Sequence, residues 1–118
     1  VIPHDEKVFL EKAMRIVEDN LETESFNVQA LQREMGMSQP VFYRKIKGIT
    51  GKSGVEFIRD IRLKRAAQLL GTSTYRVSEV ASMVGIEDLK YFRQHFQELF
   101  GMSPSEFAKT KKLNMSNP

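Results

Sequence analysis

Apolar residues recur every three or four positions along this chain. No stretch alternates with the period of two that a half-buried strand requires. The pattern predicts seven helices. The first covers about 5–21, with Leu10, Ala13, Met14, Val17 and Leu21 as its inward stripe. The second covers about 28–35, capped by Asn27 and stopped at Gly36. The third starts after Ser38, holds Pro40 in its first turn, and buries Phe42, Ile46 and Ile49. The fourth starts after Ser53, where Ser53 and Glu56 form a capping box. It carries Phe57, Ile58, Ile61, Ala66 and Leu69 to residue 70, with Gly71 ending it. The fifth covers 77–84 on a stripe of Val77, Val80, Ala81 and Val84 before Gly85. The sixth starts at Asp88 and buries Phe92, Phe96, Leu99 and Phe100. The seventh opens on Ser103, Pro104 and Glu106, and the basic stretch from Lys109 is expected to fray.

The pattern repeats within the chain. A shift of 49 residues lays Val28, Leu31, Met35 and Gly36 on Val77, Val80, Val84 and Gly85. A shift of 50 lays Ser38, Phe42, Ile46 and Ile49 on Asp88, Phe92, Phe96 and Leu99. The same shift lays Gly51, Ser53, Glu56 and Phe57 on Gly101, Ser103, Glu106 and Phe107. The extra residue falls in the turn, where insertions cost least. Each copy is a short helix, a turn with a glycine tolerant of positive φ, and a second capped helix. That is the layout of a helix-turn-helix, whose second helix enters the major groove of DNA. Gln39, Pro40, Tyr43 and Arg44 remain outward in the first copy, and Leu89, Lys90, Arg93 and Gln94 in the second. Arg and Lys donate to guanine edges, Gln pairs with adenine, and Leu or Pro packs on a thymine methyl. A duplicated helical bundle without DNA contacts would share the same packing pattern.

Charge is distributed to match. The formal net charge is +3, but residues 1–25 hold seven acidic side chains against three basic ones. Residues 39–65 hold eight basic ones (Arg44, Lys45, Lys47, Lys52, Arg59, Arg62, Lys64, Arg65) against Glu56 and Asp60. A local excess of that size attracts a polyanion, although a solvated helix face reads the same way. Apolar residues at 41% and charged residues at 28% are ordinary for a folded globular chain. No apolar run reaches the ~18 residues of a membrane span, so no membrane contact by this segment is expected. The absence of cysteine excludes disulfides, zinc–cysteine sites and thiol nucleophiles and is compatible with a reducing cytoplasm. Nothing at the N-terminus reads as a signal peptide, and the start at Val1 suggests a piece of a longer protein.

Catalysis is not expected. His4 and His95 have no nucleophile or metal-ligand set at a readable spacing, and there is no phosphate loop and no H-E-x-x-H. No metal and no cofactor are called for. Phe42, Phe92, Phe96 and Phe100 sit at core spacing, which argues against RNA stacking. The acidic first helix leaves a protein-interaction module as the competing class.

The segments RLKRAAQLL at 62–70, VSEVASMVG at 77–85 and YFRQHFQELFGMSPSEF at 91–107 resemble the AraC/XylS family of bacterial transcription regulators, in their DNA-binding domain. The likeness covers about 26–108. It implies an all-α fold of two helix-turn-helix lobes joined by a long linker helix. About 17 linker residues at ~1.5 Å rise give roughly 25 Å, against the ~34 Å repeat of DNA. The implied organisation is an N-terminal helix at 1–25, a first helix-turn-helix at 26–52, a linker at 53–71, a second helix-turn-helix with the last helix at 72–112, and a flexible tail at 113–118.

By the same resemblance, Pro40, Tyr43 and Arg44, with Gln39 beside them, read bases in the first lobe. Leu89, Lys90, Tyr91, Arg93 and Gln94 do so in the second. Backbone contacts are implied at Ser38 and Asp88 and from Lys45 and Lys47. The chain departs from the family pattern at Ile86, where Phe is usual, and at Leu89 and Lys90, where small polar residues are common. Glu87 and Asp88 are acidic beside the groove, and Asp88 reads better as a cap. The first helix and MSQPVFYRKIKGITG at 37–51 are similar to the version that ends hybrid two-component regulators. That version follows a sensor, a histidine kinase and a receiver in one polypeptide. A ligand-sensing regulator of the same family is the alternative. The expected partners are double-stranded DNA, RNA polymerase, and sensor or receiver domains of the same polypeptide. The segment itself is expected to be monomeric and the whole protein dimeric.

Overall fold

A computed structural model describes residues 2–116. Among them are seven α-helices and no strand: α1 (His4–Asp19), α2 (Val28–Glu34), α3 (Gln39–Thr50), α4 (Gly54–Thr72), α5 (Val77–Met83), α6 (Leu89–Phe100) and α7 (Pro104–Ser116). The chain divides into two compact units between Ile61 and Arg62, inside α4.

The core of the first unit is formed by Phe9, Ala13 and Val17 of α1, Leu31 and Met35 at α2, Phe42 and Ile46 of α3, and Phe57 and Ile58 of α4. In the second unit Leu63, Ala66, Ala67 and Leu70 of α4 meet Val80, Ala81 and Val84 at α5, then Ile86, and Phe92 and Phe96 of α6. Burial of each large apolar side chain contributes about 1.5–3 kcal/mol, so α3 is anchored in the first core and α6 in the second. Ile86, the packing departure noted above, is buried in this second core.

The turns carry the repeat. Gly36 and Gly85 adopt φ of 70° and 78°, a region that a Cβ makes costly. Gly51 and Gly101 close α3 and α6 in left-handed caps, each donating to the carbonyl four residues back at 2.8 Å. The N-caps follow the sequence. Asn27 accepts from the Ala30 N–H at 3.0 Å, and Asp88 from the Tyr91 N–H at 3.1 Å. Ser53 and Glu56 bond each other's backbone N–H at 3.0 and 3.1 Å, and Ser103 accepts from the Glu106 N–H at 3.2 Å.

Four details differ from the sequence expectation. The α1 stripe is Phe9, Ala13 and Val17, with Met14 38% exposed, because the Phe9 ring packs on Phe42 at 6.1 Å. α4 continues through Gly71 to Thr72. There the Thr72 and Ser73 hydroxyls donate to the Gln68 and Leu69 carbonyls and satisfy the last-turn acceptors. Leu99 is 36% exposed, while Phe100 turns inward as expected onto Phe96 and Phe107, with ring centroids 4.6 and 5.6 Å away. α7 runs to Ser116, past both Lys109 and the expected tail boundary at 112, and residues 117–118 lie outside the described residues.

Candidate nucleic-acid interface

α3 presents one exposed face. At ~100° per residue, Pro40, Tyr43, Arg44 and Lys47 lie on the side opposite Phe42 and Ile46, and all four are exposed. Tyr43 is 57% exposed although aromatic. Gln39 sits at the edge of this face. With Pro40 and Tyr43 it walls a groove of about 290 Å³ whose other walls include Val28, Phe42, Ile46 and Gly54. Gly54 keeps that region close-packed, since a Cβ there would lie 2.8 Å from a Val28 methyl. Ser38 is the N-cap residue of α3, but its side chain makes no capping bond.

The two lysines of α3 differ in placement. Lys47 is in line with the exposed face, and its ammonium donates to the Gly51 carbonyl at 3.1 Å. Lys45 is on the flank, with Nζ 5.7 Å from the centroid of the Phe9 ring. Beside it, Asp5 and Glu6 of α1 line a cleft of about 290 Å³ with Arg44, Lys45 and Gly48. The acidic first turn of α1 therefore lies near the basic side of α3.

α6 repeats the arrangement with different chemistry. Lys90, Arg93 and Gln94 are exposed on the side opposite Phe92 and Phe96. Leu89 is half-buried and packs on the second core. Tyr91 is rotated about 100° from Phe92, and its ring packs against His95 with centroids 4.2 Å apart and planes tilted by 55°. The structure thus groups Lys90, Arg93 and Gln94 but does not bring Leu89 and Tyr91 onto their line. Gln97 is exposed on that line, where Lys47 stands in α3. The 50-residue shift points to Gln97, although the family resemblance does not include it. Asp88 caps α6, and Glu87 accepts from the Ser82 hydroxyl at 3.1 Å, so both acidic groups have local partners.

Not every cation in the basic stretch is turned outward. Arg62 is 5% exposed and donates to the Val84 carbonyl at 2.6 Å, at the end of α5. Lys52 pairs with the largely buried Asp60 at 2.6 Å. A charge count along the sequence could not separate these structural cations from Arg44 or Lys47. Glu56 is held below the usual carboxylate range by the Ser53 backbone N–H, then by the Ser53 hydroxyl, with Lys47 and Arg59 adding to the effect.

Among the described residues no group of three His, Cys, Asp or Glu side chains is placed to hold a metal. No helix among them is long and apolar enough to cross a membrane.

A helix-turn-helix domain family matches residues 31–110 of this chain. A segment of histidine kinase P4 of Formosa agariphila is 45% identical over 98 residues, covering 83% of this chain and 7% of that protein. The transcriptional activator RhaR of Salmonella dublin is 29% identical over 101 residues, covering 86% of this chain and 36% of RhaR. The crystal structure of the DNA-binding domain of AdpA, a global transcriptional factor solved with a target DNA, has a TM-score of 0.81. It is 28% identical to this chain and covers 93% of it and 97% of that domain. The chain therefore spans well under half the length of either full-length relative.

Proposed function

Because the chain belongs to the AraC-type helix-turn-helix family, the DNA-binding domains of transcription regulators, we propose that α3 and α6 are its recognition helices and enter major-groove segments of one duplex. The observation that carries this reading is the duplicated unit. Two glycine-turned helix pairs each leave one polar face on the second helix. Arg44 is a donor pair for guanine, Gln39 and Gln94 suit adenine, and Pro40 and Tyr43 offer apolar contact to thymine methyls. Lys90 and Arg93 supply donors in the second half-site. Ser38, Lys45, Lys47 and Asp88 mark the side on which the phosphates run, with Leu89 and Tyr91 supporting the α6 face from its flanks.

The domain is the output end of a hybrid two-component protein, working in the cytoplasm where the chromosome is. The 45% identity to a segment of a much longer histidine kinase supports this. Sensor and receiver segments, a dimer partner and RNA polymerase are then partners of the whole protein. RhaR is an activator, and activation is the mode proposed here as well. A separate regulator of RhaR's size is the second reading, supported by the match that covers 86% of this chain. The size of the native polypeptide on an immunoblot of source cells separates the two.

Selection of bound duplexes from a random pool, followed by salt-dependent binding to the enriched site, tests the DNA reading. The expected result is two half-motifs about one helical turn apart, and log K falling with log salt at roughly −0.9 per phosphate contact. One enriched half-motif would restrict base reading to one lobe. No binding at low salt would overturn the proposal in favour of a protein-interaction module.

A further inference from the structure

Along one flank of α6, from Tyr91 to the exposed Gln94, runs a chain of contacts that α3 lacks. The Tyr91 ring packs against the His95 ring with centroids 4.2 Å apart and planes tilted by 55°. His95, only 17% exposed, places Nδ1 3.2 Å from Oε2 of Glu98. The other carboxylate oxygen of Glu98 accepts from Nε2 of Gln94 at 3.4 Å. The anchored end is the histidine and the free end is the exposed amide. Position 48 in α3, which corresponds to Glu98, is glycine, so nothing there braces Arg44.

A carboxylate only accepts hydrogen bonds, so the Gln94 group facing Glu98 is its NH2. One of its two N–H donors is then committed. What remains for a base edge is one N–H and the carbonyl oxygen Oε1. Adenine presents an acceptor, N7, beside a donor, N6, and matches that pair. Guanine presents two acceptors, N7 and O6, and would need both donors. We propose that Glu98 is a positioning residue that orients the Gln94 amide, so that the second lobe selects adenine over guanine at one base pair. This rests on the reading of α6 as a recognition helix.

The test uses the whole 118-residue chain and its Gln94→Ala, Glu98→Ala and Glu98→Gln variants. Each is run through selection from a random duplex pool, then titrated against the enriched duplex and its single A-to-G substitutions. Wild type is expected to prefer adenine at one position of the second half-site on the order of tenfold. Gln94→Ala removes that preference. Glu98→Ala lowers it several-fold at the same position, leaves the first half-site unchanged, and strengthens binding to all sequences slightly, because a negative charge leaves the DNA side. Glu98→Gln, which keeps an acceptor oxygen, restores most of the preference.

If Glu98→Ala and Glu98→Gln both leave the adenine preference intact while Gln94→Ala abolishes it, the brace is wrong and the base contact stands. If Gln94→Ala changes no preference anywhere, the contact falls and the brace with it. A loss spread over both half-sites in the Glu98 variants would mean a general effect on folding or charge, and would overturn the positioning role.

Discussion

α3 and α6 correspond residue by residue at a shift of 50, and both are anchored by two buried large side chains and a left-handed glycine cap. Their outer surfaces differ. α3 carries Arg44, Lys45 and Lys47 and no acidic residue. α6 carries Lys90 and Arg93 with Glu98, and is preceded by Glu87 and Asp88. The α3 N-cap side chain makes no capping bond, whereas Asp88 caps α6. The two units share this frame, where packing tolerates little change in shape. The exposed positions are not under that constraint. In charge terms α3 carries three cations and no acidic residue, while on α6 two cations stand beside side chains that hold one another.

Four further experiments break or sharpen that contrast. The largest effect is expected where the lobes are alike. Phe42→Ala and Phe92→Ala each remove a buried ring and should cost their own unit about 3–5 kcal/mol in chemical denaturation. If only one of the two unfolds its unit, the shared frame is not shared energetically.

The next effect belongs to the second lobe. Arg62→Ala removes a guanidinium that bonds the Val84 carbonyl and leaves that acceptor buried. A loss of about 2–3 kcal/mol is expected, with faster amide exchange in α5 and α6 and little change in α1–α3. Uniform exchange throughout would show that Arg62 serves the whole chain rather than one unit.

In the first lobe, Arg44→Ala should cost about 1–3 kcal/mol on the selected duplex and relax one base pair. Lys47→Ala should weaken all sequences alike and reduce the salt slope by about one. Substitution of Lys90 or Arg93 should touch only the second half of the footprint. An effect of Arg93→Ala on the first half would overturn the assignment of lobes to half-sites.

The smallest effect is in the cap that starts α4. Glu56 titrates below its ordinary range when folded, so its contribution is present above that range and is lost as pH falls through the depressed value. Amide exchange at the start of α4 should rise in acid in wild type. In Glu56→Gln that rise should be weaker, since no carboxylate is left to protonate. An identical acid response in both chains would assign the effect to another group.

The seven helices, their caps and the doubled turn were legible in the sequence because they depend on local rules. Asn27, Ser53 with Glu56, Asp88 and Ser103 satisfy nearby backbone donors, and Gly36 and Gly85 supply the positive φ. The family likeness was carried by the segments at 62–70, 77–85 and 91–107. The choice of Phe9 over Met14 and the exposure of Leu99 were not legible. Each depends on what a second element places opposite, and helical period alone leaves a margin of one residue. The same limit governs charge. Arg62 and Arg65 look alike in a sequence, and so do Lys52 and Lys47. Only the fold buries Arg62 beneath the end of α5 and ties Lys52 to Asp60, leaving Lys47 and Arg65 exposed. Sequence by itself determined the elements and their repetition, because hydrogen bonds and φ preferences act over a few residues. Tertiary structure decided which cations face outward and which polar groups hold each other, because burial and long-range pairing exist only once the helices have packed.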